Sequence, residues 1–453
     1  MDNIHSETNL LRNLFATLNT SQIQYAVMRN YETLPESTGG SDLDILVGVE
    51  DGHAVKALLM ETIQSNGGVP IGIAQSYGFF KMSAIGQDSA SNQSWWGLCI
   101  DINVGLYFKS YRLLAADEPL PICAHHDIRV LPESFAGLLG VLKEVFNNGI
   151  LPVRYLHSAR LAAENEWPFI TSILAPFGER ALTQLKALLL SDAPAEQLYK
   201  ECRNFRRGVV RHVYIKHRLA AICDRVACEW TKIRRYWQPS GVVVAILGVD
   251  GAGKSTVINA ILPALNAATH NAVVVQHLRP SVLPPLARLK GKKGSSSGPV
   301  LEPHGSKPSG VIGSWVRLMY LSLDYVLGYW LWTRPKIAKQ PTVILFDRYA
   351  YDMALDPRRF RIGLSSRISQ WFAALAPKPD LIICLHGTPE VIAARKHELT
   401  VDETRRQVQA LREFASLEPR AVLVTTDTSI EETRDQVLHA LMSYLQTKAA
   451  QRH

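Results

Sequence analysis

Apolar and polar positions change rhythm twice along this chain. Up to about residue 130, short β-rich runs lie between Gly, Ser and Asn: Gln24–Met28, Leu43–Val49, Phe79–Ser83 and Leu98–Val104. Runs of this length bounded by turn residues predict strands. From about residue 135 to 237 that signal disappears. Helical periodicity takes over at Phe135–Asn147, Tyr155–Glu166, Glu179–Leu190 and a long stretch from Ala195 to Tyr236. From Gly241 onward, nearly continuous apolar runs alternate with helical stretches. The runs are Val242–Leu247, Ala272–Gln276, Thr342–Phe346, Leu381–Leu385 and Ala421–Thr425. Uninterrupted apolar strands predict a parallel sheet covered on both faces.

The expected fold is therefore α/β and multidomain. Residues 1–134 form a small α+β domain, 135–240 a helical region and linker, and 241–453 a parallel sheet with helices on both faces. Gln238–Gly241 is the linker. Lys290–Gly310, rich in Gly, Ser, Pro and Lys, cannot bury enough apolar surface to pack and reads as a loop. Val311–Trp332 is apolar over about the length of a membrane span. Arg317 and Asp324 lie inside it, and charges are expensive in lipid. A mostly buried helix is expected there, with peripheral membrane contact as the alternative.

Composition adds constraints. At 453 residues, 47% hydrophobic and 20% charged, the chain can bury a sizeable core. A net charge of +8 suits anionic partners without choosing among them. The six cysteines form no C-x-x-C pair, which argues against a zinc ribbon or a disulfide framework and for a reducing, cytoplasmic setting. The first residues, MDNIHSETNL, lack the basic-then-apolar layout of a signal peptide.

The strongest local signal is Gly248-Val-Asp-Gly-Ala-Gly253-Lys254-Ser255, followed by Thr256. It fits the phosphate-loop pattern G-x-x-x-x-G-K-[ST], with a strand before it and a helix after it. Gly248, Gly251 and Gly253 let backbone N–H groups face the phosphates of ATP, and the helix N-terminus adds positive potential. Lys254 is expected on the β- and γ-phosphates, and the Ser255 hydroxyl on Mg²⁺.

About 90 residues later, a buried strand ends in Phe346-Asp347-Arg348-Tyr349. Together with the acidic Asp250 inside the loop, this motif resembles the thymidylate kinase-like group of nucleoside monophosphate kinases. The resemblance spans about residues 241–445. It implies that Asp250 faces the acceptor, Asp347 helps hold Mg²⁺ or position the acceptor, and Arg348 contacts the acceptor phosphate. It also implies that Arg279, in the turn His277-Leu-Arg279-Pro280, binds the acceptor. A lid over Glu390–Arg412 would bring Arg395, Lys396, Arg405 or Arg406 to the transferring group. The Ser and Tyr-Gln residues that accompany base binding in true thymidylate kinases are missing. Arg358, Arg359 and Arg361 stand there instead, in what resembles a divergent branch with polysaccharide or cell-envelope functions.

The N-terminal third has its own candidate site. Asp42-Leu-Asp44 follows a Gly-rich turn, and strand alternation places both carboxylates on one face. Asp101 lies in another strand. Three converging carboxylates are what two-metal nucleotidyl transfer requires. The pattern resembles the nucleotidyltransferase superfamily over about residues 10–150. The Gly-Ser that the superfamily places at the end of the preceding strand is absent: Tyr25–Met28 ends in Arg29-Asn30. Active transfer, and a site that only binds, both remain open.

Two weaker signals have ordinary readings. His125 and His126 lie on a loop with no second ligand cluster, so they read as solvated. Lys200–Arg235 holds eleven Lys and Arg against three acids, a basic helix face without a nucleic-acid motif. No specific nucleic-acid binding is expected. The expected function is ATP- and Mg²⁺-dependent phosphoryl transfer to a nucleotide or a phosphorylated small-molecule or glycan acceptor. An N-terminal nucleotidyltransferase with an accessory kinase domain is the first alternative. A non-enzymatic nucleotide-binding protein is the second.

Overall fold

The computed structural model describes residues 2–87, 94–108, 111–112, 121–216, 218–284, 309–395 and 399–451. Residues 290–308 of the expected loop and Lys396 of the expected lid lie outside the described residues. The chain divides into two compact units. The first comprises residues 1–67, 73–83 and 87–237, and the second 68–72, 84–86 and 238–453.

The first unit holds most of a seven-stranded mixed sheet. Its strands are β1 (Tyr25–Val27), β2 (Leu43–Val47), β3 (Gly68–Ser76), β4 (Phe79–Gln87), β5 (Trp95–Val104), β8 (Cys123–His125) and β9 (Ile128–Val130). Their order is β3-β4-β5-β2-β1-β9-β8. A short ladder pairs β6 (Tyr107–Phe108) with β7 (Tyr111–Arg112). β2 and β5 run parallel, with Asp44 opposite Asp101. That register brings two carboxylates from distant parts of the sequence onto neighbouring strands. Helices α1 (Asp2–Thr20) and α2 (Gly52–Ser65) precede the helical stretch.

The helices after the sheet are α3 (Glu133–Asn148), α4 (Val153–Asn165), α5 (Trp167–Ile173), α6 (Glu179–Leu189), α7 (Tyr199–Lys216) and α8 (Arg218–Trp237). The long stretch expected from Ala195 is helical over both of its described parts, α7 and α8, with residue 217 outside the described residues. Ala26 and Leu46 of the sheet share one core with Phe135, Leu142, Phe146, Phe177 and Phe205 of the helices. Phe146, Phe177 and Phe205 meet pairwise with ring centroids 5.7–5.9 Å apart, an aromatic cluster that adds to plain area burial.

The second unit is built on a five-stranded, all-parallel sheet of order β11-β12-β10-β13-β14. The strands are β10 (Val242–Gly248), β11 (Val273–His277), β12 (Val343–Asp347), β13 (Leu381–His386) and β14 (Ala421–Thr425). The helices are α9 (Lys254–Thr269), α10 (Val311–Gly328), α11 (Arg334–Lys339), α12 (Asp352–Leu355), α13 (Ser366–Ala374), α14 (Pro389–Arg395), α15 (Val401–Leu417) and α16 (Ile430–Ala450). Alternate residues of β10 explain the continuous apolar run. Val243, Ala245 and Leu247 pack toward Leu318 and Tyr325 of α10, Phe372 of α13 and Leu411 of α15. The opposite face is covered by α9 and α16.

α10 departs from the expectation of a mostly buried helix. Leu318, Ser322, Asp324 and Tyr325 face the core, while Val311, Ile312, Val316, Met319 and Leu323 are exposed. A five-residue π turn at Tyr329–Thr333 follows it. Among the described residues, no helix is long and apolar enough to cross a membrane.

Candidate functional site

The second unit's site lies where β10 and β12, adjacent and parallel, both end. β10 stops at Gly248, and α9 starts at Lys254. Gly251 and Gly253 have φ of 88° and 82°, a conformation that residues with a Cβ adopt only under strain. Ser255 and Thr256 are exposed on the first turn of α9.

Lys254 is buried beneath the loop. Its ammonium donates to the carbonyl oxygens of Gly248 at 2.9 Å and Val249 at 3.0 Å. Burial, with the nearby Arg348, pulls its pKa down to about 7; Asp250, Asp347 and Asp352 offset only part of that. A polyanion placed on the loop would restore the charge.

Asp250 is the loop's acidic residue, and two arginines donate to it. Arg348 Nη2 reaches one carboxylate oxygen and Arg359 Nη2 the other. Arg348 also donates to Asp352 at 3.0 Å, and Arg359 Nε lies 3.4 Å from Asp356. The latter contact has ion-pair distance without hydrogen-bond alignment, so Arg359 Nε keeps an unused donor. The five side chains alternate in charge: Asp352, Arg348, Asp250, Arg359, Asp356. Burial opposes the charge on Arg348, but Asp352 and Asp250 outweigh it and hold the guanidinium ionised.

Backbone geometry places Arg348. It has φ of 77°, left-handed and strained for a residue with a side chain. Its N–H donates to Ile246 O of β10 at 3.0 Å, which fixes the turn after β12 against the strand that feeds the phosphate loop. Asp347, one residue earlier, accepts from His277 Nδ1 at 3.1 Å. Its other oxygen, Oδ1, is buried without a hydrogen-bond partner among the described residues. Burial raises the carboxyl's pKa, but the His277 hydrogen bond and the charges of Lys254, His277 and Arg348 outweigh it, so Asp347 stays ionised.

The other sequence candidates have partners of their own. Arg279 donates to Asp324 of α10 at 2.9 Å, and Asp324 also accepts from the backbone N–H groups of Ser281 and Leu283. This network anchors the turn after β11 to α10 and engages Arg279 Nη1. Arg395 donates to Thr426 O at 3.2 Å. Arg405 pairs with Glu390 and Asp402, and Arg406 with Glu403. Such exposed pairs are weak and easily exchanged. The sequence marks Arg359 only as one of three arginines standing where base-binding residues are expected, and does not mark Asp352. The signal for Asp352 is the density of charge after Asp347-Arg348.

The first unit brings Asp42, Asp44 and Asp101 together, with one oxygen of each within 4.8 Å of the others. Two cations stand among them. Lys81 Nζ of β4 lies 3.3 Å from Asp42 and 3.0 Å from Asp101, and Arg29 Nε is 2.5 Å from Asp44. The Asp101 contact is close but poorly aligned, leaving Oδ1 without a hydrogen-bond donor. Burial raises the Asp101 carboxyl to about 6, with Lys81 opposing and Asp44 and Asp42 adding to the rise. Beside the cluster opens a cavity of about 870 Å³, whose lining includes Arg29, Tyr31, Asp44, Tyr77, Asp101 and Tyr155. That volume falls in the range of small-molecule sites.

No family model matches the chain, and no curated protein matches it. Among solved structures, a thymidylate kinase from Ehrlichia chaffeensis matches 45% of this chain and 100% of its own, at 13% identity and a TM-score of 0.31. A thymidylate kinase from Candida albicans matches 45% of this chain and 92% of its own, at 19% identity and a TM-score of 0.33.

Proposed function

We propose that the second unit transfers the terminal phosphoryl group of ATP to an anionic acceptor bound beside Asp250, Arg348 and Arg359. The observation that carries this reading is the pair of guanidinium groups converging on the acidic residue of a phosphate loop. Phosphoryl transfer is mainly positioning and charge neutralisation. The loop amides and Lys254 hold the triphosphate. Arg348 and Arg359, one buried and one with an unused donor, hold a phosphate or a similarly charged group next to it. Asp250 fixes both arginines and can accept a hydrogen bond from an acceptor hydroxyl.

The residues fit a divalent cation as well. Ser255 offers an exposed hydroxyl, and Asp347 an ionised carboxylate with a buried, unsatisfied oxygen. Bound Mg²⁺ would neutralise charge on the transferring phosphates. The acceptor class is a nucleotide or a phosphorylated small molecule or glycan. The test is release of ADP from ATP with a panel of such acceptors, comparing the unmodified chain with Lys254→Ala. Equal rates for the two proteins with every acceptor would refute the reading.

A second reading concerns the first unit. Its three carboxylates have the right chemistry for a divalent cation. With Lys81 and Arg29 already neutralising them, the arrangement does not fit two further cations. The cavity and its mixed charges favour a site that binds a ligand over one that performs two-metal transfer. Saturable nucleotide binding lost in Tyr155→Ala and unaffected by chelators supports this. Nucleotidyl transfer that requires Mg²⁺ and is lost in Asp44→Asn overturns it.

A further inference from the structure

Helix α8 is amphipathic in an unusual sense: its apolar stripe faces outward. Leu219, Ile222, Val226, Trp230, Ile233 and Trp237 are all exposed, with Leu219 at 80%, Trp230 at 65% and Trp237 at 64%. At 3.6 residues per turn these six positions fall within an arc of about 80°. Ile215, at the end of α7, is also exposed. The inward side is held by Ala221 and Cys228, the helix's two buried residues. Isolated surface apolar residues are ordinary, but a stripe this long exposes on the order of 500 Å², comparable to the largest patch of a typical monomer.

The flanks of the stripe are basic. Along α8, Arg218, Arg225, Lys232, Arg234 and Arg235 stand against the two acids Asp224 and Glu229, and α7 before it adds six more Lys and Arg. Both acids are engaged: Asp224 accepts from Tyr77 Oη at 2.6 Å, and Glu229 pairs with Arg225 and Lys232. An apolar face carrying Trp, bordered by Lys and Arg, is the composition of a helix that lies in the plane of a membrane surface. The Trp rings suit the headgroup level, and long basic side chains extend sideways to anionic lipid. A second copy of the chain fits less well, because pairing two such stripes would bring like-charged flanks together. Nucleic acid fits less well too, because the outermost groups are hydrocarbon rather than donors.

We infer that α8 docks on an anionic phospholipid surface, with its apolar stripe in the interface and its basic flanks on the headgroups. At 20 residues the helix is about 30 Å long and lies flat rather than spanning. This role is independent of the phosphate loop.

The test uses the full chain and sedimentation with vesicles of phosphatidylcholine alone or with about one third phosphatidylserine. The expected result is binding to the mixed vesicles, a blue shift of Trp emission, and loss of binding as salt rises. Val226→Glu with Trp230→Glu should lower the partition coefficient at least tenfold. Lys216→Glu with Arg218→Glu should lower it several-fold. The milder Trp230→Ala should weaken it with the thermal transition unchanged, which separates surface loss from misfolding. Absence of binding by the unmodified chain overturns the inference. So does undiminished binding by the Val226/Trp230 variant, which would move the contact to another surface such as the exposed face of α10. A dimer seen by light scattering and dissolved by the same substitutions would assign the stripe to a second copy and overturn it as well.

Discussion

Raising the pH from about 6 to about 9 is expected to weaken ATP binding by the second unit, and Lys254 sets the magnitude. Burial holds this amine near 7 in the free protein. A triphosphate on the loop stabilises the charged form and returns the pKa to the ordinary lysine range near ~10.4 or above. The bound state then carries one more proton than the free state between those values. By linkage, affinity falls as pH rises through that window and is flat below it. Two units above the free pKa the loss is about 100-fold.

Titration calorimetry in two buffers of different ionisation enthalpy measures the effect directly. Near pH 8 it should report uptake of nearly one proton per ATP bound. Lys254→Met should bind more weakly at pH 6 and lose most of the pH dependence. The same sign governs stability. Without nucleotide the folded chain binds fewer protons than the unfolded chain between about 7 and about 10.4, so this group makes the fold more stable as pH rises there. A dissociation constant that stays flat from pH 6 to 9, with no proton uptake, would refute the reasoning. Lys254 would then be charged in the free protein despite its burial.

Three other outcomes test the remaining geometry. Arg348→Met strands the buried Asp352 and takes one of its two arginines from Asp250, so it should destabilise the second unit by about 3–5 kcal/mol in urea unfolding. Adding Asp352→Leu should recover part of that, and a coupling near zero would contradict the buried pair. Arg359→Gln should leave ATP affinity unchanged while raising the acceptor KM about 10- to 100-fold, the worth of one charged hydrogen bond at about 1.5–3 kcal/mol; an equal loss of ATP affinity would place Arg359 on the wrong ligand. Lys81→Met removes the ammonium among Asp42, Asp44 and Asp101, so it should create Mn²⁺ binding detectable by paramagnetic resonance and abolished by Asp44→Asn. Equal Mn²⁺ binding with Lys81 intact would show that the lysine does not fill the site.

Much of this protein is written locally in its sequence. The central strands β10, β12 and β13 are legible because each is buried on both faces and therefore continuously apolar, and the partly exposed edge strands β11 and β14 are legible from their own short apolar runs. The phosphate loop is legible because its glycines, lysine and flanking elements are contiguous. The paired carboxylates Asp42 and Asp44 follow from strand alternation alone. β3 escaped notice because Gly68–Ser76 carries two glycines and a proline within an otherwise apolar run.

Only tertiary structure decided which charges meet. Arg359 lies 109 residues from Asp250, and Lys81 lies 39 from Asp42; no periodicity links them. Arg279 looked open as a sequence because its partner, Asp324, sits 45 residues away inside an apolar helix. The same applies to exposure. Periodicity shows that α8 and α10 each have an apolar face, but not whether a neighbour covers it. A hydrophobic pattern records burial potential within one element. Ion pairing and burial are fixed only when elements distant in sequence are packed together.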